Sequence, residues 1–339
     1  MIDFRYHLVS IIAVFLALAI GIVIGANELQ PTTEQFLRKA AQTVTQQNKS
    51  LSQQNKHLQQ QVTADQAFAQ AGAGRLIGHL LEGQSVVLVE APDASSDAVS
   101  GLTTVLHQAG ARLTGEVLLQ QEFFDTGDSN ETRLTQLAQS LAPQAGVTLS
   151  SGQAADNVSG QALAAQVIAA AITTSDGPGL PGAQGRAVLG GFGQNGYLQI
   201  SGPGGGSLKS LSPATMAVVI EPSSPPNDND SSPANLALAA LAEQLTRSSH
   251  GAVLTGSQPG SGPGSTIDQI AGAGKVSTVD NVDQPVGQIV TVQALKELLS
   301  GRPPTSYGVG PGTAPSPAPT PSGSPATTAS QHAGKTGSK

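Results

Sequence analysis

Apolar and polar positions divide this chain into four zones. Leu8 to Ala26 is a run of nineteen residues without a charge. As a helix it spans about 28 Å, close to a bilayer core of about 30 Å. The run is apolar all round and has no amphipathic stripe, which favours a membrane span over a buried helix of a soluble protein. After Pro31 the chain turns polar, yet Leu37, Val44, Leu51 and Leu58 recur every seven residues. From Ser85 to Gly301 short β-branched runs alternate with stretches of helical period. Beyond that lies a Pro/Ser/Thr/Gly-rich stretch with too little apolar surface to offset ordering.

The apolar run is longer than the core of a secretory signal, and Ile24-Gly25-Ala26 is a poor cleavage match, so it reads as an uncleaved anchor. Arg5 precedes it, which by the positive-inside tendency places the N-terminus in the cytoplasm and the remainder outside. Gly21 and Gly25 form a Gly-x-x-x-Gly pair that lets two such helices approach closely.

In the second zone the four recurring apolar residues are assigned heptad d positions, which puts Glu34, Ala41, Asn48, Asn55 and Val62 at a. Asparagine at a fixes register and favours two parallel strands at a cost in stability. A stalk over 32–70 is expected, making a parallel homodimer through Leu37, Val44, Asn48, Leu51, Asn55 and Leu58. A lone polar helix or a Gln-rich spacer is the competing reading. Gly72 and Gly74 are expected to end the helix.

Ser85–Glu90, a helix over Asp97–Ala109 and a strand over Arg112–Leu119 make a βαβ unit, hence parallel pairing. Strands at Thr215–Glu221, Gly251–Thr255 and Lys275–Val279 repeat the pattern. Helices are expected from Ser232-Pro233 and over Pro285–Leu299, with two more over 131–141 and 161–172 and a short strand at Tyr197–Ile200. The expected fold class is therefore α/β: an anchor with its cytoplasmic stub (1–26), a stalk (32–70), a parallel-sheet domain (85–301) and a disordered tail (302–339).

Composition narrows the chemistry. With no cysteine, disulfides, thiolate metal sites and cysteine nucleophiles are all excluded. A net charge of −7 and 3% aromatics argue against nucleic-acid binding. Gly191, Gly193 and Gly196 match GxGxxG as a string, but no strand-to-helix context is expected around them. Gly204–Ser210 resembles a phosphate loop in composition only, and the Gly256–Gly264 loop reads as surface linker. The histidines at 7, 57, 79, 107, 250 and 332 form no i, i+3 or i, i+4 pair. Asp228 and Asp230 sit in a loop. No catalytic, cofactor-binding or metal residue emerges, and the chain reads as a non-enzyme.

The run MIDFRYHLVSIIAVFLALAIGIVIGA, the opening SVVLVEAPDASSDAVSGLTTVLHQAGARLTGEVLL and the late KVSTVDNVDQPVGQIVTVQALKELLSG resemble the MctB-type actinobacterial copper transporter family. The resemblance covers nearly everything but the Pro-rich tail. It implies a membrane-anchored envelope protein with a role in copper efflux or homeostasis, described in mycobacteria as an outer-membrane channel, with copper the one cofactor or cargo suggested. Related members are linked to daughter-cell separation at the septum. That leaves open an alternative: a coiled-coil scaffold for cell-wall remodelling that works with an envelope or septal partner. The resemblance assigns no ligand residue.

Overall fold

The computed structural model describes residues 4–149, 159–175, 177, 179–180, 182–202, 212–223, 233–257, 265–270, 273–310 and 312–317, with backbone alone for 4–5, 26–35 and 268. Asp228, Asp230, Gly204–Ser210, most of the Gly256–Gly264 loop, His332 and the tail beyond 317 lie outside the described residues.

Two compact units emerge, Met1–Ala67 and Phe68–Lys339. The first is formed by helix α1 (Phe4–Ile77), whose last turns belong to the second. Within α1, Tyr6–Gly25 is long and apolar enough to cross a membrane, with a mean hydropathy of 3.0. Gly72 and Gly74 do not end the helix as expected. Each costs about 1 kcal/mol, but Ala73 and Ile77 are buried in the second unit, and burying one isoleucine contributes about 1.5–3 kcal/mol. Tertiary burial carries the helix past both glycines.

The second unit is built on strands β1 (Ser85–Glu90), β2 (Arg112–Leu119), β3 (Leu198–Ser201), β4 (Met216–Ile220), β5 (Ala252–Thr255), β6 (Ser277–Val279) and β7 (Ser306–Tyr307). Their order in the sheet is β3-β2-β1-β4-β5-β6-β7. Every pairing is parallel except β2 with β3, so the sheet is mixed where an all-parallel one was expected. β3 follows a helix, α6 (Gly182–Gln194), and only the short turn at Gly196 (φ +80°) separates the two. The chain therefore returns along β2 in the opposite sense: Gln120 N–H donates to Tyr197 O at 2.9 Å, and Leu119 pairs Leu198.

Strand alternation feeds two cores. Val87, Val89, Val117, Leu119, Val219 and Leu254 face helices α4 (Asp128–Leu141), α5 (Gly160–Ile172), α6 and α7 (Pro233–Ser248). Val86, Leu88, Val218, Ile220 and Val253 face α2 (Ser96–Gln108), α9 (Pro285–Leu299) and the end of α1. Both faces are covered, which accounts for the near-continuous hydrophobic reading of β1 and β4. Ser95 caps α2 by accepting from Ala98 N–H at 3.3 Å.

Residues 302–307, expected to belong to the disordered tail, reach the sheet instead. Tyr307 is buried, its hydroxyl donates to Glu297 at 2.8 Å, and Arg302 pairs the other oxygen of Glu297 at 2.7 Å. Burial and the Glu297 carboxylate push the Tyr307 hydroxyl up to about 12. A single buried aromatic thus draws a Pro-rich stretch onto the sheet edge as β7.

Candidate functional site

β2 and β4 flank β1, and the chain leaves β1 toward one side before returning on the other. In open α/β sheets such a reversal opens a crevice at the carboxyl ends of the strands, where ligands are bound. Here β1 ends in Glu90-Ala91-Pro92-Asp93 and β4 in Glu221-Pro222-Ser223. Ala91 N–H donates to Ile220 O at 2.9 Å, and Ser223 donates to Asp93 O through its N–H at 3.0 Å and its hydroxyl at 2.9 Å. Asp93 has φ +59°, a left-handed conformation that Asp tolerates better than most residues.

Between these loops lies a cavity of about 160 Å³. Pro92, Pro222, Phe124 and Leu238 supply apolar walls; Asp93, Gln121, Asn235 and Thr266 supply polar groups. The short helix α3 (Gln121–Phe124) brings Phe124 to the wall. It is tied down by Asn130, which donates to Glu122 O and Asp125 O, both at 2.8 Å, and accepts from Tyr197 and Arg133, both at 3.1 Å.

Behind the cavity, Glu221 accepts from Thr266 N–H at 3.1 Å and Ile267 N–H at 3.3 Å, at the start of α8 (Thr266–Ile270). Burial pushes its carboxyl up to about 7, and the two N–H donors only partly oppose that rise. Thr266 also donates its hydroxyl to Asn235 at 3.1 Å. Glu90 is likewise raised, by burial and then by the charge of Glu116. Asp280, after β6, accepts from Val309 and Gly310 N–H groups at 2.9–3.1 Å. Glu221 and Asp280 thus hold backbone at this end of the sheet.

None of these residues was singled out from the sequence. The available signal was a repeat: two apolar runs end in Glu followed within two residues by Pro, at Glu90-Ala91-Pro92 and Glu221-Pro222. Two like strand ends mark the two lips of the crevice.

The residues that were singled out lie elsewhere. Leu37, Val44, Leu51 and Leu58 are exposed on α1, as are Asn48 and Asn55. Gly21 and Gly25 are on the apolar part of α1 with open space where a Cβ would stand. Gly191 and Gly193 fall inside α6, a helix missed because of its glycines; it is held by buried Val188, Leu189 and Phe192, and a Cβ on Gly191 would press on Leu141. Among the described residues no three of His, Asp and Glu come together as a metal site. His57, His79, His107 and His250 are each exposed.

An N-terminal helix long and apolar enough to cross a membrane, followed by a unit built on a mostly parallel sheet, defines the class: a mixed α/β protein with one apolar N-terminal helix. Residues 1–318 match the family described as "Copper transport outer membrane protein, MctB", and the chain belongs to that family. It is similar to the copper transporter MctB of Mycobacterium leprae, 33% identical over 320 residues that cover 92% of this chain and 98% of the relative. It is also similar to the copper transporter MctB of Mycobacterium tuberculosis, 28% identical over 321 residues with the same coverage.

Proposed function

We propose that the protein is a single-pass envelope protein that acts in copper efflux or homeostasis without enzymatic chemistry of its own. The observation that carries this reading is the family match from residue 1 to 318. Tyr6–Gly25 serves as the anchor, the N-terminus is cytoplasmic, and the α/β unit is extracytoplasmic. Two copies pair in parallel through the heptad seam of α1, with Asn48 and Asn55 setting register.

Copper is the cargo in this reading, and the described residues offer it few ligands. Cu(I) prefers thiolates and thioethers, yet the chain has no cysteine, and Met216 is buried in β4. The role is therefore indirect, with the metal ligands or the pore supplied by an envelope partner. The test is a deletion strain, expected to lose copper tolerance and regain it with the full chain. Unchanged tolerance would overturn the reading, and chained cells with normal tolerance would replace it with a scaffold for daughter-cell separation.

A further inference from the structure

We infer that the crevice between the ends of β1 and β4 binds an apolar primary amine: a cationic amino group carried beside a compact aliphatic side chain, as in a leucine-type amide or the amino terminus of a peptide. Size comes first. A cavity of about 160 Å³ is too small for a nucleotide, but one of about 150 Å³ holds a benzene-sized group, and a leucine side chain fits the same space.

Polarity sets the orientation. The inner wall is Leu238 and Phe124 between two prolines. The Thr266 hydroxyl there donates its proton to Asn235 at 3.1 Å and keeps acceptor capacity only. The walls are otherwise mostly apolar, so the interior favours hydrocarbon, and a polar group entering first would regain less hydrogen bonding than it lost from water. The exposed rim carries Asp93 and the Gln121 amide. An amine seated there meets a carboxylate, while Gln121 stands ready for an amide carbonyl.

Charge sets the sign. Among the described residues lining the cavity there is no lysine or arginine, and Asp93 is the one formally charged group. Anionic ligands, phosphates and free carboxylates included, are repelled. The two lips are also tied together: both Ser223 donors hold Asp93 O, and Asn130 holds α3. Such ties lower the ordering cost of binding.

The test uses the full chain, methyl-labelled, in an uncharged detergent, with the Leu238 methyl groups as reporters. Leucinamide should shift them saturably. N-acetyl-leucinamide, which lacks the charge, should bind about fivefold more weakly, and free leucine, which adds a carboxylate, more weakly than leucinamide. Asp93→Asn keeps a residue that accepts the left-handed backbone and should reduce leucinamide to the acetylated compound's affinity. Ala234→Phe, at the cavity mouth, should abolish the shifts, and its thermal unfolding reports whether the fold is intact. A Leu-Gly-Gly amide that binds more tightly than leucinamide identifies a peptide amino terminus as the natural occupant; equal binding identifies a small amine. Absence of a saturable shift, equal binding of the acetylated compound, or binding unaffected by Asp93→Asn would each overturn the inference.

Discussion

The Glu221 carboxylate rests directly against Gly256: a Cβ added at Gly256 would overlap Oε1 and would also stand 2.8 Å from Ile267 Cδ1. β4 and β5 run side by side to this point, with Glu221 N–H donating to Thr255 O at 2.9 Å. Glycine is needed here for space, since a buried acid occupies the place of its side chain. Gly256→Ala is expected to cost about 1–3 kcal/mol by overpacking, measured as a lower unfolding midpoint. The penalty should shrink when Glu221→Ala is also present, because the two residues share one volume. Equal penalties in both backgrounds would dissociate the pair.

Glu221 also makes stability depend on pH. Its folded-state carboxyl is raised from the ordinary 4.5 to about 7, so the folded protein holds a proton there that the unfolded chain releases. The stabilisation is fully present below about pH 4.5 and is lost as pH rises through 7, on the order of 3 kcal/mol in all. Glu221→Gln keeps an acceptor for Thr266 and Ile267 and carries no charge. The variant is expected to flatten this part of the profile and to be more stable than wild type at pH 8. Chemical unfolding at pH 5, 6.5 and 8 checks it; parallel profiles for both proteins would count against it.

Helix α2 was legible because it buries one stripe with a regular spacing, whereas the apolar run of α1, strand β1 and helix α9 were legible from length and near-continuous apolar character. Periodicity missed α6, whose glycines have low helix propensity and whose buried Val188, Leu189 and Phe192 outweigh them. It missed β7 for a related reason: one tyrosine reaching Glu297 orders a stretch with no pattern of its own. The crevice was illegible because Asp93, Asn235 and Thr266 are far apart in sequence and meet only once the strand order is known. A repeated Glu-Pro ending could point to the strands but not to their adjacency.

β7 changes where the chain can be cut. Truncation after Pro317 is expected to leave the unfolding midpoint unchanged. Truncation after Gly301 removes Tyr307, which is buried, together with the Arg302–Glu297 pair. Loss of one buried aromatic costs about 3–5 kcal/mol, enough to lower the midpoint by many degrees. A topology reporter therefore belongs after Pro317, where a periplasm-active fusion should be active. An inactive reporter there would reverse the proposed orientation.

The exposed leucines of α1 bear on assembly. Leu37, Leu51 and Leu58 are more than half exposed on a polar helix, a state that a second copy would relieve. The full chain in detergent is expected to be a dimer by analytical ultracentrifugation. Leu58→Pro should break it by removing a helix hydrogen bond and introducing a steric clash. Asn48→Leu with Asn55→Leu should raise the stability of the stalk while admitting higher oligomers, since buried amides cost stability but exclude other states. A strictly monomeric wild type at micromolar concentration would end the stalk reading.

The family's copper connection leads to the last expectation. A Cu(I) site needs at least two soft or imidazole ligands close together. Met216 lies in the middle layer of the sheet with no exposure, so reaching it would require opening β4 between β1 and β5. The described histidines are spread over α1, the turn at His79, the end of α2 and the turn before β5, and no metal-holding group forms among them. The purified full chain is therefore expected to leave Cu(I) with a competing colorimetric chelator, and Met216→Leu should change nothing in that titration. Tight one-to-one binding would falsify the indirect role. If such binding were lost in Met216→Leu, β4 itself would be part of a copper path; if it were lost only on removing His332, the ligands would lie in the tail beyond 317. With no binding and a copper-sensitive deletion strain, raised sensitivity to unrelated envelope stresses would trace the defect to a weakened envelope, whereas a copper-specific defect would assign the ligands or the pore to a partner that crosslinking in copper-stressed cells should capture.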